Sequence, residues 1–113
     1  MHPARTSAER KASPLFRGAS RYFPAALELV SRHCLRSNEK HNPGEEMHHS
    51  RGKSNDHGDC LLRHQNDVGT IDEEAGMDHA VAVAWRALAQ LQELAEKQYG
   101  WPLAPAAKLP EPY

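Results

Sequence analysis

Apolar residues fall into helical period most clearly toward the end of the chain. Met77, Val81, Ala84, Trp85, Leu88, Leu91 and Ala95 recur at i, i+4, i+7, i+8, i+11, i+14 and i+18, flanked by Arg86, Glu93, Glu96 and Lys97. That spacing draws one apolar stripe along an α-helix, which Gly100 closes. An earlier helix is predicted over residues 24–41. Pro24 suits its first turn, Leu27, Val30 and Cys34 step by three and four, and Asn42-Pro43-Gly44 stops it. A shorter helix is predicted over residues 56–68, with Asn55 or Asp56 as its cap and Gly69 at its end. Strand-like alternation of apolar and polar residues is absent from the sequence. The expected fold is all-α, a small helical bundle of about three core helices. So few short helices bury little surface alone, so a homo-oligomer is expected.

The segments outside these helices read differently. Residues 1–20 are rich in Ser, Ala and Arg, broken by Pro3, Pro14 and Gly18, and read as a flexible basic arm. Residues 101–113 contain Pro102, Pro105, Pro110 and Pro112, which forbid a continuing helix and favour an extended tail. Residues 21–100 then form the one folded domain. Within it, residues 42–55 have two glycines, a proline and no period, a long loop of the kind that often carries function.

Composition narrows the function classes. At 113 residues, 39% hydrophobic and 26% charged, with mean hydropathy −0.76, the chain holds one small core. Its net charge of −1 excludes an extended nucleic-acid-coating surface. That balance is a cancellation: residues 1–36 carry seven Lys/Arg against two acids, and residues 70–113 carry three against seven. Eight histidines make the surface sensitive to pH or metal, since charging all of them moves the net from −1 to +7. The longest apolar run, Ala80 to Trp85, is six residues, too short for a membrane span or a signal-peptide core. A cytoplasmic chain with no membrane partner is expected, with Cys34 and Cys60 as free thiols.

Candidate chemistry gathers in three places. Asp72, Glu73, Glu74, Asp78 and His79 lie within eight residues. Acids there suit either a helix cap or, as paired carboxylates, a Mg²⁺ or Mn²⁺ site completed by a substrate phosphate. His57, Cys60, His64 and Asp67 step by three, four and three on one helical stripe, which invites either a zinc site, without the usual CxxC pair, or a phosphate-facing role for His64 and Asp67. Glu28 and Glu39 share a face three turns apart, among Arg32, Arg36 and Lys40, as a solvated face would. Arg21, Lys40, Arg51, Lys53 and Arg63 are the cations suited to phosphate oxygens. The nucleotide-binding motifs GxxxxGKS/T and GxGxxG and the metalloprotease motif HExxH are all absent.

The order RYFPAALELV, NEKH, DCLLRHQND, DEEAGMDHAVAVAWRALAQL resembles the small all-α phage and bacterial dATP/dGTP diphosphohydrolase family, functional relatives of the MazG-type nucleotide pyrophosphohydrolases. The resemblance covers roughly residues 21–97 and is most specific from Leu61 to Leu91. It implies an enzyme that hydrolyses a purine deoxynucleoside triphosphate, dGTP or dATP, to monophosphate and pyrophosphate. Such chemistry asks for neutralised phosphate charge and a positioned water. Carried over by position, it marks Arg21, Glu28, Glu39, Lys40, Arg63, His64, Asp67, Asp72, Glu74 and His79. Glu39, Asp67 and Asp72, helped by Glu28 or Glu74, would hold one or two Mg²⁺ or Mn²⁺ ions, and Asp78 joins them on spacing alone. Arg21, Lys40 and Arg63 would bind the substrate, and His64 or His79 would orient or deprotonate the water. Two departures motivate alternatives: Ala82 stands where the family has the second histidine of a His-x-x-His pair, and the loop's Asn-Trp is missing. The alternatives are a nucleotide-binding or nucleotide-sequestering protein without catalysis, and a small zinc-binding or structural helical interaction protein.

Overall fold

The computed structural model describes residues 1–110; it is mostly helical, with four α-helices and only short strands. The first helix, α1 (Ser7–Lys11), is a single turn within the expected arm, capped by the Thr6 hydroxyl accepting from Glu9 N at 3.1 Å. A wide π-helical turn follows at Phe16–Ser20. Then α2 (Pro24–His41) opens on its proline and ends at Asn42, within the predicted span. Next come α3 (His57–Asn66) and the long α4 (His79–Gln98). α4 is the centre of the molecule, packing on both α3 and α2.

Two minimal ladders join the loops. Strands β1 (His49–Ser50) and β4 (Ala107–Lys108) pair in parallel, and β2 (Ile71–Asp72) pairs antiparallel with β3 (Met77–Asp78). Each strand is two residues long, too short to alternate, and so leaves no signal in the hydrophobic pattern. The β2–β3 connection is a tight turn, with Gly76 N donating to Asp72 O at 2.7 Å. The β1–β4 pair brings the proline-rich tail back over the 42–55 loop, with Arg51 N donating to Lys108 O at 2.8 Å. Residues 111–113 of the expected tail, with Pro112, lie outside the described residues.

Asn38, 7% exposed, ties the long loop to α2. Its Nδ2 donates to Glu45 O at 3.0 Å, and its Oδ1 accepts from Asn42 Nδ2 at 3.1 Å and His48 N at 3.3 Å. A buried amide with all its partners fixes a loop that has no apolar core of its own.

The apolar core is small: Cys60, Val81, Ala82 and Ala89 are its buried members. Around it sits an aromatic layer in which Trp85 meets the rings of His33, His49 and His57 at centroid distances of 5.9, 5.3 and 5.9 Å. Burial lowers the pKa of His33 and of His49, and the cations Arg51 and Arg86 push His49 further the same way. His57 is locked: its Nε2 donates to Glu93 Oε2 at 2.6 Å while its Nδ1 accepts from Arg86 at 3.1 Å. Among the described residues, no helix is long and apolar enough to cross a membrane.

Candidate metal centre

Three elements converge on one point. α3 presents His64 in its last turn, β2 presents Asp72, and His79 opens α4. His64 Nδ1 and His79 Nδ1 stand 2.8 Å apart, and His64 Nδ1 is 4.0 Å from Asp72 Oδ2. One donor atom from each of the three residues lies within 4.8 Å of the others, and each residue is half-buried. At 2.8 Å the two imidazoles share a proton, one nitrogen donating and the other accepting. A cation bound between them would need both Nδ1 lone pairs, so the shared proton would move to the Nε2 of its own ring, and binding would compete with protonation of either imidazole.

Local folding explains the convergence. Asp78 is the N-cap of α4: its Oδ1 accepts from Ala80 N at 2.9 Å and from Gly69 N at 3.0 Å. These two backbone donors hold the Asp78 carboxyl below its usual range. One oxygen thus aligns the first turn of α4, with His79, against the turn that leaves α3. His79 N also donates to Thr70 O at 3.1 Å. On the opposite side Asp72 Oδ1 accepts from Glu74 N at 3.1 Å, which turns its other oxygen toward His64. Replacing Asp78 by Ala should therefore cost about 1 kcal/mol of stability and leave metal affinity within a few-fold, read by thermal unfolding and calorimetry.

The other acids singled out in the sequence stand elsewhere. Glu28 pairs with Arg32 at 2.9 Å on the outside of α2, and Glu39 is exposed on the same helix. Asp67 is the exposed C-cap of α3, and Glu74 pairs with Lys40, whose ammonium holds the Glu74 carboxyl below its usual range. Of the cations, Arg21 lies 6.0 Å from the Phe16 ring, Arg63 Nη2 donates to Cys60 Sγ at 2.9 Å, and Arg51 is committed to Glu96. Among the described residues the side chains of His57, Cys60 and His64 do not converge as a ligand cluster: His57 is held by Glu93, and Cys60 is in the core.

Two further residues border the centre. His33 is near enough to sense the charges of Asp72, which raises its pKa, and of His64 and Arg36, which lower it. Arg36 lies against the acidic turn, so that a Cβ placed on Gly76 would stand 2.7 Å from its Nη1. His33, Arg36 and Lys40 step by three and four along α2, a stripe that was readable in the sequence once its facing partner was known. Gly76 has φ +70°, so Gly76→Ala meets both left-handed strain and the guanidinium. That variant should lose on the order of 1–3 kcal/mol in chemical denaturation.

Comparison of the chain with family models, with curated proteins and with solved structures finds no match.

Proposed function

We propose that this chain is a divalent-metal-dependent phosphohydrolase that cleaves a purine deoxynucleoside triphosphate to monophosphate and pyrophosphate in the cytoplasm, as a homo-oligomer. The observation that carries the metal assignment is the convergence of His64, Asp72 and His79 within 4.8 Å. The substrate class rests on the sequence resemblance over residues 21–97. Two imidazoles and one carboxylate make a borderline donor set, which suits Mn²⁺ better than Mg²⁺, a cation that favours oxygen ligands. An ion held there supplies Lewis acidity and neutralises phosphate charge.

The chain's own residues do the rest. Arg36 and Lys40, spaced by one turn on α2, bring fixed positive charge beside the acidic turn, Arg as a planar fork and Lys as a mobile point charge. Lys40 must leave Glu74 to reach a phosphate, an exchange that costs little because both side chains are exposed. His33, kept neutral by burial, is the imidazole beside the centre that takes the proton of the attacking water. The test is pyrophosphate release from dGTP and dATP with Mn²⁺. Metal-dependent release is expected; none at micromolar enzyme over hours removes the catalytic assignment.

A second reading, nucleotide binding without turnover, is favoured by one observation. Ala82 is 6% exposed, so the position of the family's second histidine lies in the apolar core. Nucleotide binding by calorimetry with no pyrophosphate release selects this reading.

A further inference from the structure

The 42–55 loop is fastened to α4 by two neighbouring side chains, His49 and Arg51. Arg51 reaches Glu96. His49, half-buried, lays its ring against Trp85 at 5.3 Å and against His57 at 6.1 Å. Its Nδ1 lone pair is already taken, accepting from Arg51 Nε at 3.1 Å. His57, which is buried, repeats the arrangement, its Nδ1 accepting from Arg86 Nη1 at 3.1 Å. Each imidazole thus turns an unprotonated nitrogen toward a guanidinium, and a proton added there meets an N–H instead of an acceptor.

Charge around His49 is matched only while its ring is neutral. It faces Arg51 on its own segment, Arg86 and Glu93 on α4, and His57 on α3, and it shares Trp85 with His33 of α2. Lys108 of β4 turns away to Glu45 at 3.5 Å, and the adjacent His48 Nδ1 pairs with Glu46 O at 2.9 Å. Arg51 and Arg86 balance Glu93 and Glu96, and both acids are engaged. Glu96 is held by Arg51, Gln92 and Ala104 N, and Glu93 by His57 and Lys97. A proton on His49 therefore adds a buried charge with neither acid free to receive it. Burial, then Arg51, His57 and Arg86, push the His49 pKa below 6.5 against the pull of Glu93. A ring released to water binds the proton more readily, so falling pH favours release.

The backbone around His49 is anchored on both sides. Asn38 Oδ1 accepts from His48 N at 3.3 Å, and the Arg51–Glu96 pair persists well below the range in which histidine titrates. Between these two points the His49 amide has one tie, donated to Ala106 O at 2.8 Å. We propose that His49 is a proton-operated latch: when charged, its ring leaves Trp85 and the His49–Ser50 segment swings out between the Asn38 anchor and the Arg51–Glu96 pair, opening the Trp85 face to solvent.

Acrylamide quenching of Trp85, in a Trp101→Phe chain so that a single indole reports, tests this from about pH 7.5 to about pH 5.5. The quenching constant should rise several-fold as pH falls, while far-UV circular dichroism keeps its helical signal. His49→Phe keeps a ring on Trp85 but takes no proton, and His49→Gln offers Arg51 an acceptor without a charge. Either variant should abolish the pH dependence, whereas His48→Gln, at the next histidine of the same loop, should retain it. A quenching constant that is flat over this range in the parent chain overturns the proposal. So does a rise that persists in a folded His49 variant, one that His48→Gln removes, or one that comes only with loss of the helical signal.

Discussion

Asp72→Ala should weaken Mn²⁺ binding by more than about 100-fold and remove metal-dependent pyrophosphate release with it, because one of three ligands is lost and the histidine pair reverts to sharing a proton. Stability should change far less. The substitution forfeits one exposed hydrogen bond, donated by Glu74 N at 3.1 Å, and no more than about 1 kcal/mol of stability with it. The contrast with Asp78→Ala is the informative part. Both acids lie within one short segment and both accept backbone N–H groups, yet only Asp72 turns an oxygen toward the imidazoles. Metal affinity should collapse in the first variant and survive in the second. Equal effects in the two would mean that both are merely turn and cap residues.

Arg51→Met should destabilise the fold by roughly 3–5 kcal/mol, the largest stability effect expected of any single substitution here. Arg51 and Glu96 form a bidentate pair at 2.5 and 3.1 Å, with side chains only 7% and 8% exposed. Glu96 also accepts from Gln92 Nε2 at 2.9 Å and from Ala104 N at 3.0 Å. One carboxylate therefore fastens the end of α4 to the long loop and to the returning tail. Taking away the guanidinium leaves a buried charge with too few donors, whereas Arg51→Met combined with Glu96→Leu removes both charges and should recover much of the loss. The pair has a pH signature as well. Hydrogen bonds from Arg51 hold the Glu96 carboxyl down at about 2 against an ordinary 4.5. The unfolded chain thus binds this proton more readily, so the stabilisation is complete above pH 4.5 and drains away as the pH falls through 4.5 toward 2. Burial of neutral His33 and His49 acts in the same direction from a higher start: their contribution is full above 6.5 and declines as the pH drops below it. Denaturant midpoints measured from pH 8 to pH 3 should fall monotonically, and Glu96→Gln should flatten the acidic limb.

How far the sequence carries such statements depends on whether a feature is local. Pro24 and Asn42 bracket α2, because a first-turn proline and a helix-stopping Asn-Pro-Gly act within one turn of themselves, while α3 starts after Asp56 without a side-chain cap and ends at Asn66, two residues short of the span predicted from Gly69. The period of α4 was equally visible, but which side of it faces inward was not. Its charged residues are drawn inside by His57 and Arg51, which belong to distant segments, and hydrophobicity alone assigns the leucines to the interior. The candidate centre divides on the same line. His64, Asp72 and His79 were each singled out by motif and spacing, but the sequence offered six acids as metal ligands and no means to rank them. The ranking comes from the β2–β3 turn, which aims Asp72 at the histidines, and from the cap that commits Asp78 to backbone donors. His33 and Arg36 carried no signal alone because they border the centre only through the packing of α2 on α4 and on the Gly76 turn.

The proposed function depends on His64, Asp72 and His79 holding one divalent ion. Calorimetric titration of the chelator-treated 113-residue chain with Mn²⁺ addresses it most directly. One ion per chain is expected, with loss of the signal in both Asp72→Ala and His79→Ala. Saturable binding that persists in those two variants, or no binding by the intact chain at millimolar Mn²⁺, would contradict it.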